Sequence, residues 1–338
     1  MDIGKVRLAD IAEKTGVSTV TVHNALAGNK GVSDEMRQRI QQVAQEMGYQ
    51  VLAEKKRERS ETESYTIGVL VAENYLAQYE TFYWKMYQEL ALIATDKRCF
   101  TAVEVLKKED EINTLNLPVC VKERRIDGLI VLGEINKAYI AKLKDEVEIP
   151  VVFLDFYDKE LAEDAVITDN FYGMFLMTEF LFEQGIDELA FVGSIFSTSS
   201  IMDRYCGFMK SMIMHGKNIH PEWVIEDRDS LGQMGFELPK KIPKGLVCNC
   251  DLAASMLIDK LTEKGYRVPE DVSVVGFDNY LYPGLADLQI TTYEVNTKAM
   301  TKVAVEKILK QIRNPKRGHG MDVVSGHMVI KKSVKLKD

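Results

Sequence analysis

The chain has 338 residues and a formal net charge of −8 at pH 7, so we expect two or more domains rather than one compact core. The acidic balance argues against a protein that binds nucleic acid over its whole surface. No apolar run approaches the roughly 18 residues of a membrane span, and the opening M-D-I-G-K-V-R lacks the apolar region of a secretion signal, so we expect a cytoplasmic protein that does not enter a membrane.

Charge is distributed unevenly along the chain. Residues 1–59 contain ten Lys and Arg against eight Asp and Glu, an excess of +2, so the remainder carries −10. Only the N-terminal segment is therefore suited to DNA. Because the excess is slight, it supports an argument from motifs and does not replace one.

The segment at residues 6–28 predicts two short helices joined by a tight turn. Apolar residues at helical spacing predict the first helix over residues 8–15. Gly16 ends it, because glycine tolerates the left-handed conformation of a helix exit. Ser18 then stands as the N-cap of a second helix. Two helices joined so closely cross steeply, which is the helix-turn-helix arrangement.

The second helix has an inward and an outward face. Val22 and Leu26 share the face toward the first helix. The outward side chains are Thr19, Val20, His23 and Asn24. A third helix follows, capped by Ser33 and ended by Gly48. The alternative is a small three-helix subdomain without a DNA role, which the spaced signature G-V-S-x-x-T-V disfavours.

The chain after the head predicts a linker and an α/β core. Residues 49–64 are charged and, after Ala53, almost without apolar side chains, and the simplest interpretation is a solvated tether. From residue 66 apolar strands alternate with amphipathic helices, as in doubly wound parallel sheets. The predicted domains are a head over 1–50, a linker over 51–64 and a core over 65–338. Within the core, lobe 1 takes about 65–159 and 290–324, and lobe 2 about 160–289 and 325–338, with a ligand cleft between them.

The five cysteines have no zinc-site spacing, and we interpret them as reduced thiols without a metal role. No sequence motif of a hydrolase, a nucleotide-binding loop or a metalloprotease is present, so we expect no catalytic residues and no cofactor. An enzyme on an α/β fold remains the competing interpretation, which turnover with a candidate ligand would reveal.

The stretch L-A-D-I-A-E-K-T-G-V-S-T-V-T-V-H-N-A-L-A-G resembles the DNA-binding head of the LacI family of bacterial transcription regulators. The segments I-P-V-V-F-L-D, D-R-Y-C-G-F-M-K-S-M and V-P-E-D-V-S-V-V-G-F-D resemble the effector-binding core of the same family, which is related to periplasmic sugar-binding proteins. The resemblance covers residues 6–334. It implies a helix-turn-helix head followed by a two-lobed, periplasmic-binding-protein-like core.

The resemblance also implies which head residues meet operator DNA. Base-edge contacts fall on Thr19, Val20 and Asn24. Phosphate contacts fall on Ser18, Thr21, His23 and Ser33. Asn24 stands where the family commonly has Arg, and Asn pairs with adenine whereas Arg pairs with guanine, so the operator need not be the usual one. In the linker, Glu58 falls near the position at which relatives present a Leu to the minor groove.

The candidate ligand residues follow the strand ends. Asp155 ends F-L-D, Asp278 ends V-V-G-F-D, and Arg204 opens a helix. Carboxylates and a guanidinium facing a cleft suit a hydroxyl-rich ligand such as a sugar, although each Asp is alternatively a turn or capping residue. The resemblance adds Phe82 and Cys250 as effector positions. Cys250 replaces the usual Asn, which weakens any statement of the ligand's identity.

We therefore interpret the chain as a DNA-binding transcription regulator, most simply a homodimeric repressor controlled by a small molecule. A dimer is expected because one recognition helix covers only a few base pairs. The alternatives are a sensor related to solute-binding proteins without direct DNA regulation, and a regulator controlled by a protein partner.

Overall fold

The computed structural model describes residues 8–26, 32–47, 64–76, 82–158, 164–229, 232–280, 289–315 and 320–337. The chain divides into two compact units, residues 1–64 and residues 65–338. None of the helices in the described ranges is long and apolar enough to cross a membrane. The predicted linker at 51–63 lies outside the described residues, so its role stays a prediction.

The first unit is a three-helix head. Its helices are α1 (Leu8–Thr15), α2 (Thr19–Leu26) and α3 (Asp34–Glu46). They enclose a small core of fully or nearly fully buried residues: Ile11, Ala12, Val22, Ala25, Ile40 and Ala44. Gly16 has a φ of +72°, so the turn uses the conformational freedom that the sequence predicted for it.

The first sheet of the core contains six parallel strands in the order β11-β5-β4-β3-β1-β2. They are β1 (Thr66–Ala72), β2 (Phe100–Leu106), β3 (Gly128–Leu132), β4 (Val151–Leu154), β5 (Asp164–Thr168) and β11 (Met321–Val324). Strands β1, β3, β4 and β5 are buried almost throughout, as expected for central strands covered on both faces. Strand β2 forms one edge and exposes alternate side chains.

The second sheet has the order β12-β10-β9-β8-β6-β7. Its strands are β6 (Leu189–Val192), β7 (Val224–Ile225), β8 (Gly245–Cys248), β9 (Ser273–Asp278), β10 (Thr291–Glu294) and β12 (His327–Val329). All pairs are parallel except β10 with β12, which is antiparallel. The two sheets therefore define two α/β lobes, each with its own strand set.

Helices cover both sheets. They are α4 (Phe82–Asp96), α5 (Val119–Lys122), α6 (Lys137–Glu146), α7 (Asn170–Glu183), α8 (Ser199–Met214), α9 (Asp251–Glu263) and α10 (Thr297–Arg313). Helix α10 packs on α4 and on the first sheet, whereas α7 packs on α8 and on the second sheet. Strands and helices alternate from residue 66 onward, as the apolar pattern predicted.

Two predicted lobe boundaries were wrong. Strand β5 was assigned to the second lobe, but it pairs with β4 in the first sheet. Strand β10 was assigned to the first lobe, but it pairs with β9 in the second. Only helix α10 and strand β11 return to the first lobe, so the described chain crosses between the sheets after β5, after β10 and between β11 and β12. An apolar pattern reports that a strand is buried and does not report which sheet it joins.

A buried ionic group holds helix α10 and strand β11 to the first sheet. Asp164, at the start of β5, accepts hydrogen bonds from Lys307 Nζ at 2.8 Å, from Gln311 Nε2 at 2.6 Å and from the backbone N–H of Gly320 at 2.9 Å. These donors hold the pKa of the Asp164 carboxyl below its usual value despite burial. The carboxylate thus ties β5 to α10 and to the entry of β11.

We predict that Asp164→Ala lowers the free energy of unfolding of the core by about 3 kcal/mol, because it removes the buried partner of Lys307 and leaves Gln311 Nε2 and the Gly320 N–H without the acceptor that they share. Denaturant unfolding of the full chain measures the effect. Asp322→Ala is the matched control: its carboxylate bridges the same Lys307 at 2.8 Å but is 51% exposed, so it should cost less than about 1 kcal/mol. Equal losses for the two variants would contradict the anchoring role of Asp164.

Candidate functional site

The turn of the head presents helix α2 with its first residues outward. Ser18 Oγ accepts a hydrogen bond from the backbone N–H of Thr21 at 3.1 Å and lies 2.9 Å from Thr21 Oγ1, so Ser18 caps α2 as predicted. Thr19 and Val20 are exposed, and Val20 retains 65% of its accessible surface. An exposed valine on such a helix suits apolar contact with a thymine methyl group.

The other predicted DNA residues are placed differently. Asn24 is half-buried, and its backbone carbonyl accepts a hydrogen bond from Arg37 Nη1 at 3.3 Å. The same nitrogen donates to the carbonyl of Ala25 at 3.0 Å, so α3 holds the last turn of α2. Ser33 is exposed and caps α3. The side chain of His23 lies outside the described residues.

In the core, the two predicted carboxylates lie at the carboxyl ends of strands from different lobes. Asp155 follows β4, and Asp278 ends β9. Both have positive φ angles, +72° and +103°, which non-glycine residues rarely adopt. Strained backbone of this kind is concentrated at functional sites, and here it occurs at both residues that the sequence selected.

Arg204 of α8 lies between the lobes and is 6% exposed. Its Nε donates to Asn170 Oδ1 at 2.8 Å, and its Nη1 donates to the backbone carbonyl of Asn249 at 2.6 Å. Its Nη2 lies 3.3 Å from Asp278 Oδ1, and its guanidinium carbon lies 3.9 Å from the centre of the Phe277 ring. Arg204 is therefore a fixed cation that orients Asp278.

Asp155 has far fewer partners than Arg204. Tyr83 donates its hydroxyl to Asp155 Oδ2 at 2.9 Å, whereas Oδ1 is buried without a hydrogen-bond partner among the described residues. Burial raises the pKa of Asp155 to about 6, although Arg204 and Tyr83 oppose that rise. Burial likewise raises the pKa of Asp278 to about 7; Arg204 opposes this and the nearby Asp155 adds to it.

Phe82 and Cys250, the two remaining effector candidates, lie on opposite lobes. Phe82 begins α4, is 6% exposed, and contacts the ring of Tyr280 edge-on at 6.2 Å between centroids. Cys250 caps α9, with its Sγ accepting from the Ala253 N–H at 3.5 Å. Burial raises the pKa of Cys250 to about 12, so the thiol is neutral and offers little beyond its shape and a weak donor.

The structure adds Asp227 and Arg228, two polar residues that the sequence analysis did not select. The amide of Asn249 donates to Asp227 Oδ2 at 2.7 Å. Arg228 binds the same carboxylate through Nε at 3.1 Å and Nη2 at 2.7 Å. The charge of Arg228 also acts on Cys250 and on Tyr75 of the other lobe, which places it at the cleft. In the sequence, Asp227 and Arg228 are simply an adjacent acidic and basic residue, and no motif marks them as part of a site.

Two hydrogen-bonded pairs join the lobes across the cleft. Glu134 Oε2 accepts from the backbone N–H of Ser199 at 2.6 Å and from its hydroxyl at 2.8 Å, at the start of α8. Tyr157 donates its hydroxyl to Asp203 at 3.0 Å, one turn further along α8. The helix that carries Arg204 is thus held by both lobes.

Comparison with known proteins agrees with both units. Residues 7–51 match the family described as bacterial regulatory proteins, lacI family, and residues 178–334 match a periplasmic binding protein-like domain. The chain therefore matches the lacI family of bacterial regulatory proteins through its head. Its head is that family's helix-turn-helix domain, which makes the chain a DNA-binding transcription regulator. The resemblance and the fold class inferred from the sequence are confirmed.

Relatives match the chain over almost its whole length. The HTH-type transcriptional repressor PurR of Aliivibrio salmonicida is 24% identical over 97% of the chain and 98% of its own length. The HTH-type transcriptional regulator RegA of Clostridium saccharobutylicum is 28% identical over 90% and 91%. Among solved structures, a lac repressor dimer bound to operator and an anti-inducer has a TM-score of 0.66 at 20% identity, covering 97% and 98%. A CelR–cellobiose complex has a TM-score of 0.67 at 18% identity, covering 97% and 99%.

The raised pKa of Asp155 predicts how the folding stability of the chain depends on pH. Since its folded pKa of about 6 exceeds the unfolded value of 3.8, stability is lost as pH rises from about 4 through 6 and stays lost above. We predict that Asp155→Asn raises the melting temperature of the ligand-free chain at pH 8, by the equivalent of about 3 kcal/mol at most, and that the gain vanishes near pH 4. Thermal unfolding across this range, with the exposed Glu222→Gln as control, measures it. An unchanged or lower melting temperature at pH 8 would show that neighbouring groups already offset the cost of burying the Asp155 charge.

Proposed function

We propose that this chain is a repressor whose affinity for operator DNA is set by a small molecule bound between the two lobes of its core. The observation that supports this most directly is the meeting of Asp155, Arg204 and Asp278 near the facing strand ends, where one buried oxygen of Asp155 has no partner in the described part of the chain. Strand ends at such a crevice are where ligands bind in open α/β sheets. Because the target is DNA, the proposed place of action is the cytoplasm.

The proposed DNA contacts follow the exposed side of α2. Thr19, Val20 and Asn24 are assigned to base edges. The phosphate contacts are assigned to Ser18, Thr21, His23 and Ser33. Capping already uses the hydroxyls of Ser18 and Ser33 as acceptors, which leaves their protons for phosphate oxygens.

Selection of binding sites from random DNA tests this function, followed by titration of the selected operator with sugars of defined structure. We expect a pseudo-palindromic site whose affinity changes with at least one compound. Failure to select any site would refute DNA recognition. A selected site that no compound affects would instead refute control by the compounds tested.

Asn24→Arg is predicted to change the preferred base at one position of each half-site from adenine to guanine. An amide matches the donor and acceptor of adenine, whereas a guanidinium offers two donors to guanine O6 and N7. The same selection measures the change. Gln42→Arg, on the exposed side of α3, adds the same charge away from α2 and should retain the wild-type consensus. An identical consensus for Asn24→Arg would show that this residue does not read a base.

We also propose that the working unit is a homodimer, since the lac repressor relative is a dimer on its operator. The first lobe exposes large apolar side chains beside and along edge strand β2, where Leu92 is 68% and Phe100 69% exposed. Exposed apolar surface of this kind favours association with another chain. Val105, on the same strand, is 44% exposed and extends the surface.

Phe100→Asp is predicted to convert the dimer into a monomer at micromolar concentration and to weaken operator binding at least tenfold. Light scattering and DNA titration measure the two effects. Ile213→Asp provides the comparison, because Ile213 is 72% exposed on α8 of the second lobe. If only the second variant dissociates the dimer, the interface lies on the second lobe and not along β2.

A further inference from the structure

We infer that the small molecule recognised by this cleft carries a cationic nitrogen, an amine or amidine, that pairs with Asp155. The inference rests on the proposed function in one respect, that the cleft binds a small molecule at all. It goes further by naming the charge and the chemical group of that molecule. Three observations on the described residues support it: the unpaired carboxylate, the prior engagement of the neighbouring cations, and the aromatic rings around it.

The first observation is that Asp155 is a buried anion with too few donors. It is 4% exposed, and among the described residues only the hydroxyl of Tyr83 binds it, through Oδ2. The following residue, Phe156, supplies no charge and is buried against Phe153 at 4.5 Å between ring centres. Two other described carboxylates have a bare buried oxygen. Glu89 lies in the middle of α4, and Asp251, which packs against Gly276, already accepts from the Tyr280 N–H. Asp155 differs from both because it follows the end of a first-lobe strand and interacts electrostatically with Arg204 and Asp278 of the other lobe.

The second observation is that neither guanidinium of the cleft donates a hydrogen bond to Asp155, and Arg204 acts on it only through its charge. Arg204 uses its three nitrogens on Asn170, Asn249 and Asp278. Arg228 is bound through two nitrogens to Asp227. A hydroxyl from a neutral ligand would satisfy one lone pair of Asp155 and leave its charge uncompensated, whereas a cation supplies both the hydrogen bond and the charge.

The other acidic groups of the cleft already accept hydrogen bonds, which leaves Asp155 as the carboxylate that a ligand cation would bind. Glu134 accepts two hydrogen bonds from Ser199. Asp203 accepts the hydroxyl of Tyr157. The surplus negative charge of the cleft is thus concentrated at Asp155.

The third observation is an aromatic wall beside that carboxylate. The rings of Tyr75 and Tyr83 lie 4.3 Å apart, and Phe82 contacts Tyr83 at 5.5 Å and Tyr280 of the other lobe at 6.2 Å between centroids. Aromatic faces attract cations, and the attraction strengthens when the cation is removed from water. A carboxylate set among aromatic rings is a combination that recognises an ammonium group.

The experiment compares amines with neutral compounds of the same shape. The full chain, without DNA, is titrated with D-glucosamine, D-galactosamine, putrescine and agmatine, and with the neutral counterparts D-glucose, D-galactose, N-acetyl-D-glucosamine and 1,4-butanediol. The melting temperature is the readout. We expect at least one amine to raise it and to bind at least 100-fold more tightly than its neutral counterpart.

Variants assign the effect to Asp155. Asp155→Asn keeps the size of the side chain and removes its charge, so the bound amine should lose at least 100-fold in affinity. Glu222→Gln removes an exposed carboxylate of the second lobe and should change affinity less than threefold. A neutral compound that binds within threefold of its amine, an amine that binds Asp155→Asn as well as wild type, or a panel in which no amine binds would each overturn the inference. Operator binding, measured separately, shows whether the proposed regulatory function stands regardless of that result.

Discussion

The packing of the core depends on one buried guanidinium, that of Arg204, which binds three separate segments of the chain. Arg204 joins the start of α7 through Asn170, the end of β8 through Asn249 and the end of β9 through Asp278. A buried cation is stable only when its donors are used, and here each nitrogen has an acceptor. Because these acceptors come from three segments far apart in sequence, Arg204 fixes the wall of the second lobe before any ligand arrives.

That arrangement determines the electrostatics of the cleft. Arg204 forms its ion pair with Asp278. Asp155 of the first lobe has a single hydrogen-bond donor among the described residues, the Tyr83 hydroxyl. Closing the lobes therefore brings together two carboxylates for one guanidinium, and burial raises both pKa values. Glu134 and Tyr157 offset this by binding the first turns of α8 across the cleft. A ligand that neutralises Asp155 would favour the closed arrangement further, which is a simple way for binding to shift a population.

The head is stabilised by different interactions from those of the core. Its core is six small or medium apolar side chains, so capping and turn chemistry contribute a large share of its order. Ser18 begins the exposed helix, Gly16 permits the turn, and Arg37 holds the last carbonyls. Each of these contacts leaves the outward side of α2 available to DNA.

The sequence by itself determined the local features of this protein. The spacing around Gly16 and Ser18 predicted the first two helices of the head, and Ser33 marked the start of the third. The positions of Asp155 and Asp278 after apolar runs placed both at strand ends. These features depend on periodicity and capping within a few residues, which a sequence shows directly. The motifs also identified the family.

Only the tertiary structure decided which distant segments meet. Strands β5 and β10 joined sheets opposite to those predicted, because burial on both faces looks the same in either sheet. Arg204 and its partners, and Asp155 and its donor Tyr83, are separated by 34 to 74 residues, and no local pattern links them. The charge imbalance at Asp155 exists only once those segments are packed, since it depends on what each neighbouring side chain already binds.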